Sequence, residues 1–251
     1  MIKNILSLIP ARMGSTRFPG KPMEKILDKP MIGHVFENVK KNNLISDLAV
    51  ATCDSEIYEY IISIGGKAIM TSSAHERASD RCAEALLKIE KKENKKFDIV
   101  VLVQGDEPMI HPDMISEAVE PMIKNDEILV TNLLGRIKND KEFKDSNCIK
   151  VVCDKNGNAL YFSREPIPTT VNKKNVPMGK QICVIPFKRD FLLDYNQLHE
   201  TPLELAESVD MMRVLEHGYN VKMIPTNHLS HAVDTKEDLL MVEKLLSENT
   251  N

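Results

Sequence analysis

Two hydrophobic periods alternate along the chain. Near-continuous apolar runs of strand length occupy residues 5–9, 48–52, 67–70, 99–104 and 129–133, the pattern of strands covered on both faces. Between them, apolar positions recur at helical spacing. A segment opening at Pro30 sets Ile32, Val35, Phe36 and Val39 on one face, and a second does so with Ile57, Tyr60, Ile61 and Ile64 before stopping at Gly65-Gly66. Ser79 is placed to cap a third helix, and the segment after Pro112 presents Ile115, Val119 and Met122. Strand alternating with helix predicts an α/β fold: a Rossmann-like, mostly parallel sheet with helices on both faces.

Beyond Leu134 the rhythm changes. Residues 150–153 and 159–162 flank Asp154-Lys155-Asn156-Gly157-Asn158, which reads as an antiparallel hairpin with Asn-Gly supplying positive φ. Residues 163–180, proline-containing and with a basic Asn172-Lys173-Lys174-Asn175 stretch, read as a loop and a candidate dimer contact. Thr201-Pro202-Leu203-Glu204 is a capping box that opens a helix through Leu205, Ala206, Val209 and Met212. Thr235 and Asp238 begin a last helix with Leu239, Val242, Leu245 and Leu246 inward. The organisation expected is one domain over 1–251, in which 135–200 is an inserted hairpin, loop and dimerisation region.

Composition narrows the function classes. With 42% hydrophobic and 28% charged residues in 251, the chain buries a large core and is neither disordered nor collagenous. Its 33 basic and 37 acidic residues give a net charge of −4, so nothing draws it as a whole to nucleic acid or an anionic membrane, and any anionic ligand must be held locally. Apolar runs fall far short of the roughly 20 residues a membrane span needs. The start, Met1-Ile2-Lys3-Asn4, lacks the pattern of an export signal, which makes the cytoplasm the expected compartment. Five cysteines without CxxC spacing indicate reduced thiols rather than a disulfide or zinc framework.

Candidate chemistry gathers at the ends of strands, where open α/β sheets bind ligands. The first strand runs into Pro10-Ala11-Arg12-Met13-Gly14-Ser15-Thr16-Arg17-Phe18-Pro19-Gly20-Lys21-Pro22. Glycines let backbone amides approach an anion and three cations neutralise phosphate oxygens, so the loop suits a nucleoside triphosphate; a solvated basic turn is the alternative. P-loop and GxGxxG spacings are absent, which sets aside a dinucleotide-dependent oxidoreductase. The fourth strand runs into Gln104-Gly105-Asp106-Glu107-Pro108. Asp106 there is either a Mg²⁺ ligand beside substrate phosphates or an acceptor for turn amides. Asp234, in His231-Ala232-Val233-Asp234-Thr235, is a second metal carboxylate or a helix cap.

Taken in this order, these segments resemble the CMP-KDO synthetase (3-deoxy-manno-octulosonate cytidylyltransferase) family over nearly the whole length. The resemblance rests on the Pro10 to Pro22 loop, Lys29-Pro30-Met31-Ile32, Gln104 to Ile110, Ala159-Leu160-Tyr161-Phe162-Ser163-Arg164, and Val233-Asp234-Thr235 followed by Glu237-Asp238-Leu239. It implies a nucleotidyltransferase sheet and transfer of CMP from CTP to a hydroxyl of a small acidic acceptor, with release of pyrophosphate. It further implies that Lys21, Asp106 and Asp234 are catalytic, that Asp106 and Asp234 bind Mg²⁺, and that Ala11, Arg12, Lys21, Ser79, Arg81 and Gln104 hold the nucleotide. Arg77, Arg164, Gln181 and Asp210 are the implied acceptor contacts, and a homodimer is the implied assembly.

Three stretches depart from the family's pattern. A Ser-Gly-Thr-Glu/Asp-Arg stretch after a histidine reads here Arg77-Ala78-Ser79-Asp80-Arg81. A His-Leu-Gly-Ile/Val-Tyr strand that contacts the sugar reads Gln181-Ile182-Cys183-Val184-Ile185, and a Glu-Gln pair reads Asp210-Met211. Each lost hydrogen-bond partner of a polyhydroxylated ligand costs about 1–3 kcal/mol. The expectation is therefore CMP transfer to a KDO-like sugar acid, with another keto-deoxy or amino sugar acid, or a small phosphonate, as alternative acceptors. A non-catalytic nucleotide-binding subunit is the alternative from another class.

Overall fold

Every residue of β1 (Ile5–Ala11) is buried, as is every residue of β6 (Ile99–Val103). These two strands form the middle of a five-stranded sheet, described, like the rest of residues 3–14, 18–170 and 178–248, by a computed structural model. On one side of β1 lie β4 (Asp47–Thr52) and β5 (Ala68–Met70), all parallel; beyond β6 lies β11 (Val184–Lys188), antiparallel. Side chains alternate across the pleat and build two cores. Ile5, Ile9, Val50, Ile99, Val101 and Val103 pack with α1 (Met31–Lys40), α2 (Ser55–Ser63) and α4 (Pro112–Lys124). Leu6, Leu8, Ala49, Ala51, Val100 and Leu102 face the other way, onto α3 (Ala78–Glu93) and α6 (Arg189–Tyr195). The predicted α/β sheet with helices on both faces is the observed architecture, and Ile32, Val35, Phe36, Val39, Ile115, Val119 and Met122 are buried as their spacing requires.

A second five-stranded sheet follows the order β12–β7–β10–β8–β9. It contains β7 (Thr131–Arg136), β8 (Lys150–Cys153), β9 (Ala159–Ser163), β10 (Gly179–Ile182) and β12 (Lys222–Pro225). The β8–β9 hairpin stands where expected, with Gly157 at φ +77 in its turn. The chain passes from the second sheet to the first at Cys183, between β10 and β11. The two sheets meet again at an antiparallel bridge between Val130 and Phe187. Completing the chain are the short ribbon β2 (Lys25–Ile26) and β3 (Lys29–Pro30), with α5 (Asp140–Lys144), α7 (Pro202–Glu207), α8 (Asp210–Glu216) and α9 (Lys236–Glu248). Among the described residues no helix is long and apolar enough to cross a membrane.

Four sequence readings are corrected. The run at 129–133 does not extend the parallel sheet: β7 starts at Thr131 and pairs with β10 and β12, because the chain leaves the first sheet at the Val130 bridge. Gly179 and Lys180 are strand rather than loop, paired to β7 and β8; Asn172–Asn175 lie outside the described residues. Ser79 is not the cap of α3; Arg77 occupies that position and Ser79 lies within the first turn. Finally, the helix opened by Thr201 stops at Ser208, which takes φ +52, and a new helix, α8, starts at Asp210. Leu205 is 56% exposed while Glu204 is buried, so an ion pair rather than an apolar stripe sets the rotation of α7. In α9, Leu239, Val242 and Leu246 pack inward onto Phe18, Ile26, Met31 and Val233.

Candidate active site

The loop after β1 is shaped by its own backbone. The Met13 N–H donates to Asp54 Oδ2 at 2.8 Å and its carbonyl accepts the Gly20 N–H at 3.0 Å. Gly20 takes φ +75, a left-handed turn that favours glycine, and delivers the chain into a single 3₁₀ turn, Lys21–Met23. Lys21 Nζ thereby reaches Asp106 Oδ2 at 2.8 Å and Asp234 Oδ1 at 3.4 Å. Ala11 is buried at the end of β1 and Arg12 is exposed beside it; Arg17 lies outside the described residues.

Asp106 owes its position to the turn after β6. The Gln104 N–H donates to the Cys183 carbonyl at 3.1 Å. A Cβ on Gly105 would stand 3.0 Å from the Pro10 carbonyl oxygen and 3.2 Å from Ile32 Cδ1, so glycine is what lets this turn sit against the end of β1. The Asp106 carbonyl accepts the Val233 N–H at 2.9 Å, which sets Asp234 beside Asp106. The Asp238 carboxylate in turn accepts the Asp234 and Thr235 N–H groups at 3.0 and 2.9 Å, the box expected at the start of α9. Burial disfavours the charge on Lys21, but attraction to Asp106 and then Asp234 outweighs it and its pKa is raised. The ammonium is thus held as a cation between two carboxylates.

Glu107 is a residue sequence reasoning passed over, although it stands in the quoted Gln104–Pro108 motif. It is buried; that burial, with the neighbouring Asp106 charge, pushes its pKa up to about 7, against a hydrogen bond from Ser230 and the pull of Lys180.

A second cluster forms where α3 and α8 begin. Arg77 Nη1 donates to Asp210 Oδ1 at 3.2 Å and the Ser79 hydroxyl to Asp210 Oδ2 at 3.3 Å. Behind them Arg213 grips Glu204 through Nε and Nη2, both at 2.7 Å, and the Tyr195 hydroxyl donates to the Asp210 carbonyl at 3.1 Å. Burial lifts the pKa of Asp210 against the pull of Arg77. The break at Ser208 makes this cluster, because it lets Asp210 open a new helix. Arg213 and Tyr195 were not singled out from sequence, and Glu204 reads there as a capping-box partner alone. Cys183 stands where the chain crosses from the second sheet to the first. Its thiol is raised well above its ordinary range by burial, to which the nearby Glu107, Asp106, Asp234 and Asp210 add.

The remaining candidates are engaged elsewhere. Arg81 is buried and donates to Thr71 Oγ1 at 2.6 Å and to the Ser72 and His75 carbonyls. Arg164 donates to the carbonyls of Ser146, Glu207 and Ser208, satisfying the end of α7. Gln181, on β10, donates from Nε2 to Asn132 Oδ1 at 2.6 Å.

Near Arg81, burial works against ionisation of Glu84, but hydrogen bonds from Lys88, the Ser72 N–H and His75 outweigh it and hold its pKa at about 2. A carboxylate depressed from 4.5 in this way contributes stability that is present above pH 4.5 and is lost as pH falls toward 2. Urea midpoints measured across that window are expected to fall less steeply for Glu84→Gln than for the natural chain; equal slopes would show that the ion pairs contribute nothing.

By its parallel sheet, and by the strand-end edge on which a glycine-turned cationic loop meets two aspartates, the chain is a nucleotidyltransferase. A family described as Cytidylyltransferase matches residues 6–224. A 3-deoxy-manno-octulosonate cytidylyltransferase of Geobacter metallireducens is 42% identical, with 96% of this chain and 97% of that protein covered. The enzyme of the same name from Fusobacterium nucleatum is 41% identical, with 97% of each covered. Among solved structures, a CMP:2-keto-3-deoxy-manno-octonic acid synthetase in complex with CTP superposes with a TM-score of 0.89 at 34% identity, covering 98% of this chain and 99% of that one. A cytidylyltransferase from Leptospira borgpetersenii shares the fold at a TM-score of 0.65 and 19% identity, covering 98% of this chain and 87% of that one. The chain belongs to the 3-deoxy-manno-octulosonate cytidylyltransferase, or CMP-KDO synthetase, family.

Proposed function

We propose that this protein transfers CMP from CTP to a hydroxyl of a KDO-like sugar acid, releasing pyrophosphate, with Mg²⁺ held by Asp106 and Asp234. The observation that carries the reading is the meeting of both carboxylates on Lys21 Nζ, at 2.8 and 3.4 Å, from loops far apart in sequence. The donor set fits the ion: two hard carboxylates from separate loops, already gathered around a cation, suit Mg²⁺ when substrate phosphates complete its shell. When bound, Mg²⁺ supplies charge neutralisation and in-line alignment at the α-phosphorus. Lys21, kept protonated by its two aspartates, is placed to neutralise triphosphate oxygens, with Arg12 exposed on the same loop. Ala11 and Gln104 form the floor at the strand ends. The acceptor hydroxyl oxygen attacks the α-phosphorus and gives up its proton to solvent, the bond to the β-phosphate oxygen breaks, and pyrophosphate leaves with that bond's electron pair. Both aspartates being present argues against a non-catalytic subunit.

For the acceptor, the names of the relatives support a KDO-type acid. Its carboxylate and hydroxyls are assigned to the region of Arg77, Asp210, Gln181 and Arg164. Arg77 and Asp210 are paired in this structure, so an arriving acid exchanges one partner for another rather than meeting a bare charge. We further assign the enzyme to the cytoplasm, as a homodimer formed through the 135–200 region. The test is pyrophosphate release from CTP with Mg²⁺ across KDO, its 8-amino analogue, other keto-deoxy acids and small phosphonates. Turnover with a sugar acid of this class is expected; silence with all of them, or turnover of phosphonates alone, would overturn the acceptor assignment. Gln181→His is expected to shift the ratio of kcat/KM among sugar acids about tenfold while the KM for CTP stays nearly constant. An unchanged ratio would remove Gln181 from the acceptor pocket.

A further inference from the structure

Away from the edge that carries Asp106 and Asp234, the described residues hold one group of side chains with metal-ligating character. His111 precedes α4 and caps it, its Nδ1 accepting the Asp113 N–H at 3.2 Å. His228 comes from the loop after β12, and its ring lies on that of His111 with centroids 4.3 Å apart and planes 8° from parallel. One ring nitrogen of each histidine and one carboxylate oxygen of Asp113 lie within 4.8 Å of one another. One turn along α4, Glu117 sets Oε1 3.7 Å from His228 Nε2, while its Oε2 is buried without a hydrogen-bond partner. A buried acceptor lacking a donor is unfavourable, and a cation relieves it.

We propose that His111, Asp113 and His228, with Glu117 beside them, form a binding site for a transition dication of the Zn²⁺ type. Two imidazoles with carboxylates select Zn²⁺, Ni²⁺ or Cu²⁺ over Mg²⁺, which requires oxygen donors in near-octahedral order. The capping hydrogen bond leaves Nδ1 without a proton and the ring proton on Nε2, so Nδ1, 3.5 Å from Asp113 Oδ2, is the nitrogen offered to the ion, which takes its lone pair from the Asp113 N–H while Nε2 keeps its proton. The donors lie up to 4.8 Å apart, wider than the roughly 3.4 Å between ligands of a tetrahedral zinc shell. Parallel rings do not aim at one point, so binding turns the His228 ring about its Cβ–Cγ bond and draws it toward Asp113. The carboxylates of Asp113 and Glu117 offset the positive end of the α4 dipole.

The site has a structural consequence. His228 lies on the loop that supplies Ser230 to Glu107, the Val233 N–H to the Asp106 carbonyl, and Asp234 to Lys21. An ion at His111 and His228 therefore clamps the root of the loop that carries Asp234 to the start of α4.

Zn²⁺ titrated calorimetrically into the full chain, with excess Mg²⁺ present to occupy all-oxygen sites, is expected to bind as one equivalent with a micromolar Kd. His111→Asn keeps a helix-capping side chain while removing the imidazole, and His228→Gln removes the second ring. Each is expected to weaken Zn²⁺ binding at least about tenfold with the fold retained by circular dichroism. Co²⁺ in place of Zn²⁺ is expected to give visible d–d bands without a near-ultraviolet sulfur charge-transfer band. Absence of heat at large excess of Zn²⁺, unchanged affinity in both variants, or a sulfur band that places the ion on a cysteine would each overturn the site.

Discussion

Asp106→Asn is expected to leave a folded protein whose kcat falls by about a hundredfold to a thousandfold, the cost of removing one preorganised charge from a phosphoryl-transfer site. The substitution is nearly isosteric, and the clip that holds the site together, Val233 N–H to the Asp106 carbonyl at 2.9 Å, belongs to the backbone and survives it. Lys21, however, loses its closer partner. Burial, which opposes its charge, is then balanced by Asp234 alone, so its pKa drops. Asp234→Asn spares the 2.8 Å contact to Asp106 and is expected to reduce turnover in the same range with a smaller change at Lys21. In both variants the Mg²⁺ concentration for half-maximal rate rises while the urea midpoint stays within error. A variant that turns over at the natural rate would remove its aspartate from the metal site. A fall in urea midpoint matching the loss of activity would make the pair structural.

How far the chain could be read beforehand differs between its two sheets. Ile99 to Val103 needed no partner information: a run buried on both faces can only be a central strand, and the glycine and carboxylate that follow it then fall at the ligand edge. The convergence of Lys21, Asp106 and Asp234 was accessible only through the combination of motifs, since each aspartate alone reads equally well as a turn or a cap. The second sheet resisted because an apolar run does not say which sheet it joins. Val130 pairs with Phe187 while Thr131 already belongs to β7, and the continuous run from Gln181 to Ile185 divides at Cys183 between two sheets. The Arg77–Asp210 cluster was hidden for a different reason. Its geometry depends on a helix break at Ser208, a residue with no special tolerance for φ +52, and across that break Glu204 of α7 pairs with Arg213 of α8, a long-range contact that local propensity does not announce.

That ion pair carries the largest expected effect on stability. Glu204 is fully buried and Arg213 nearly so, the two joined by a bidentate contact at 2.7 Å, and the Arg213 guanidinium lies 5.0 Å over the Tyr195 ring. Glu204→Leu leaves Arg213 only the half-exposed Glu200 at 3.8 Å and the Leu198 carbonyl at 3.4 Å, and deprives Arg77 of a carboxylate 3.6 Å away, so it is expected to cost about 3–5 kcal/mol. Arg213→Leu is expected to cost less, because Glu204 keeps Arg77 and the Thr201 N–H at 3.4 Å. With both residues made apolar, much of the loss should return, since a well-packed apolar pair of similar volume avoids the desolvation of two charges. Urea unfolding of the two single variants and the double variant measures each value and their coupling. Equal losses in the two single variants would show that Arg77 lends Glu204 nothing. The double variant then separates stability from chemistry. If Glu204 and Arg213 serve to hold the break that aims Asp210 at Arg77 and Ser79, the restored protein remains impaired with the sugar acid while its KM for CTP is unchanged. Recovery of full activity would mean that Asp210 keeps its place without them.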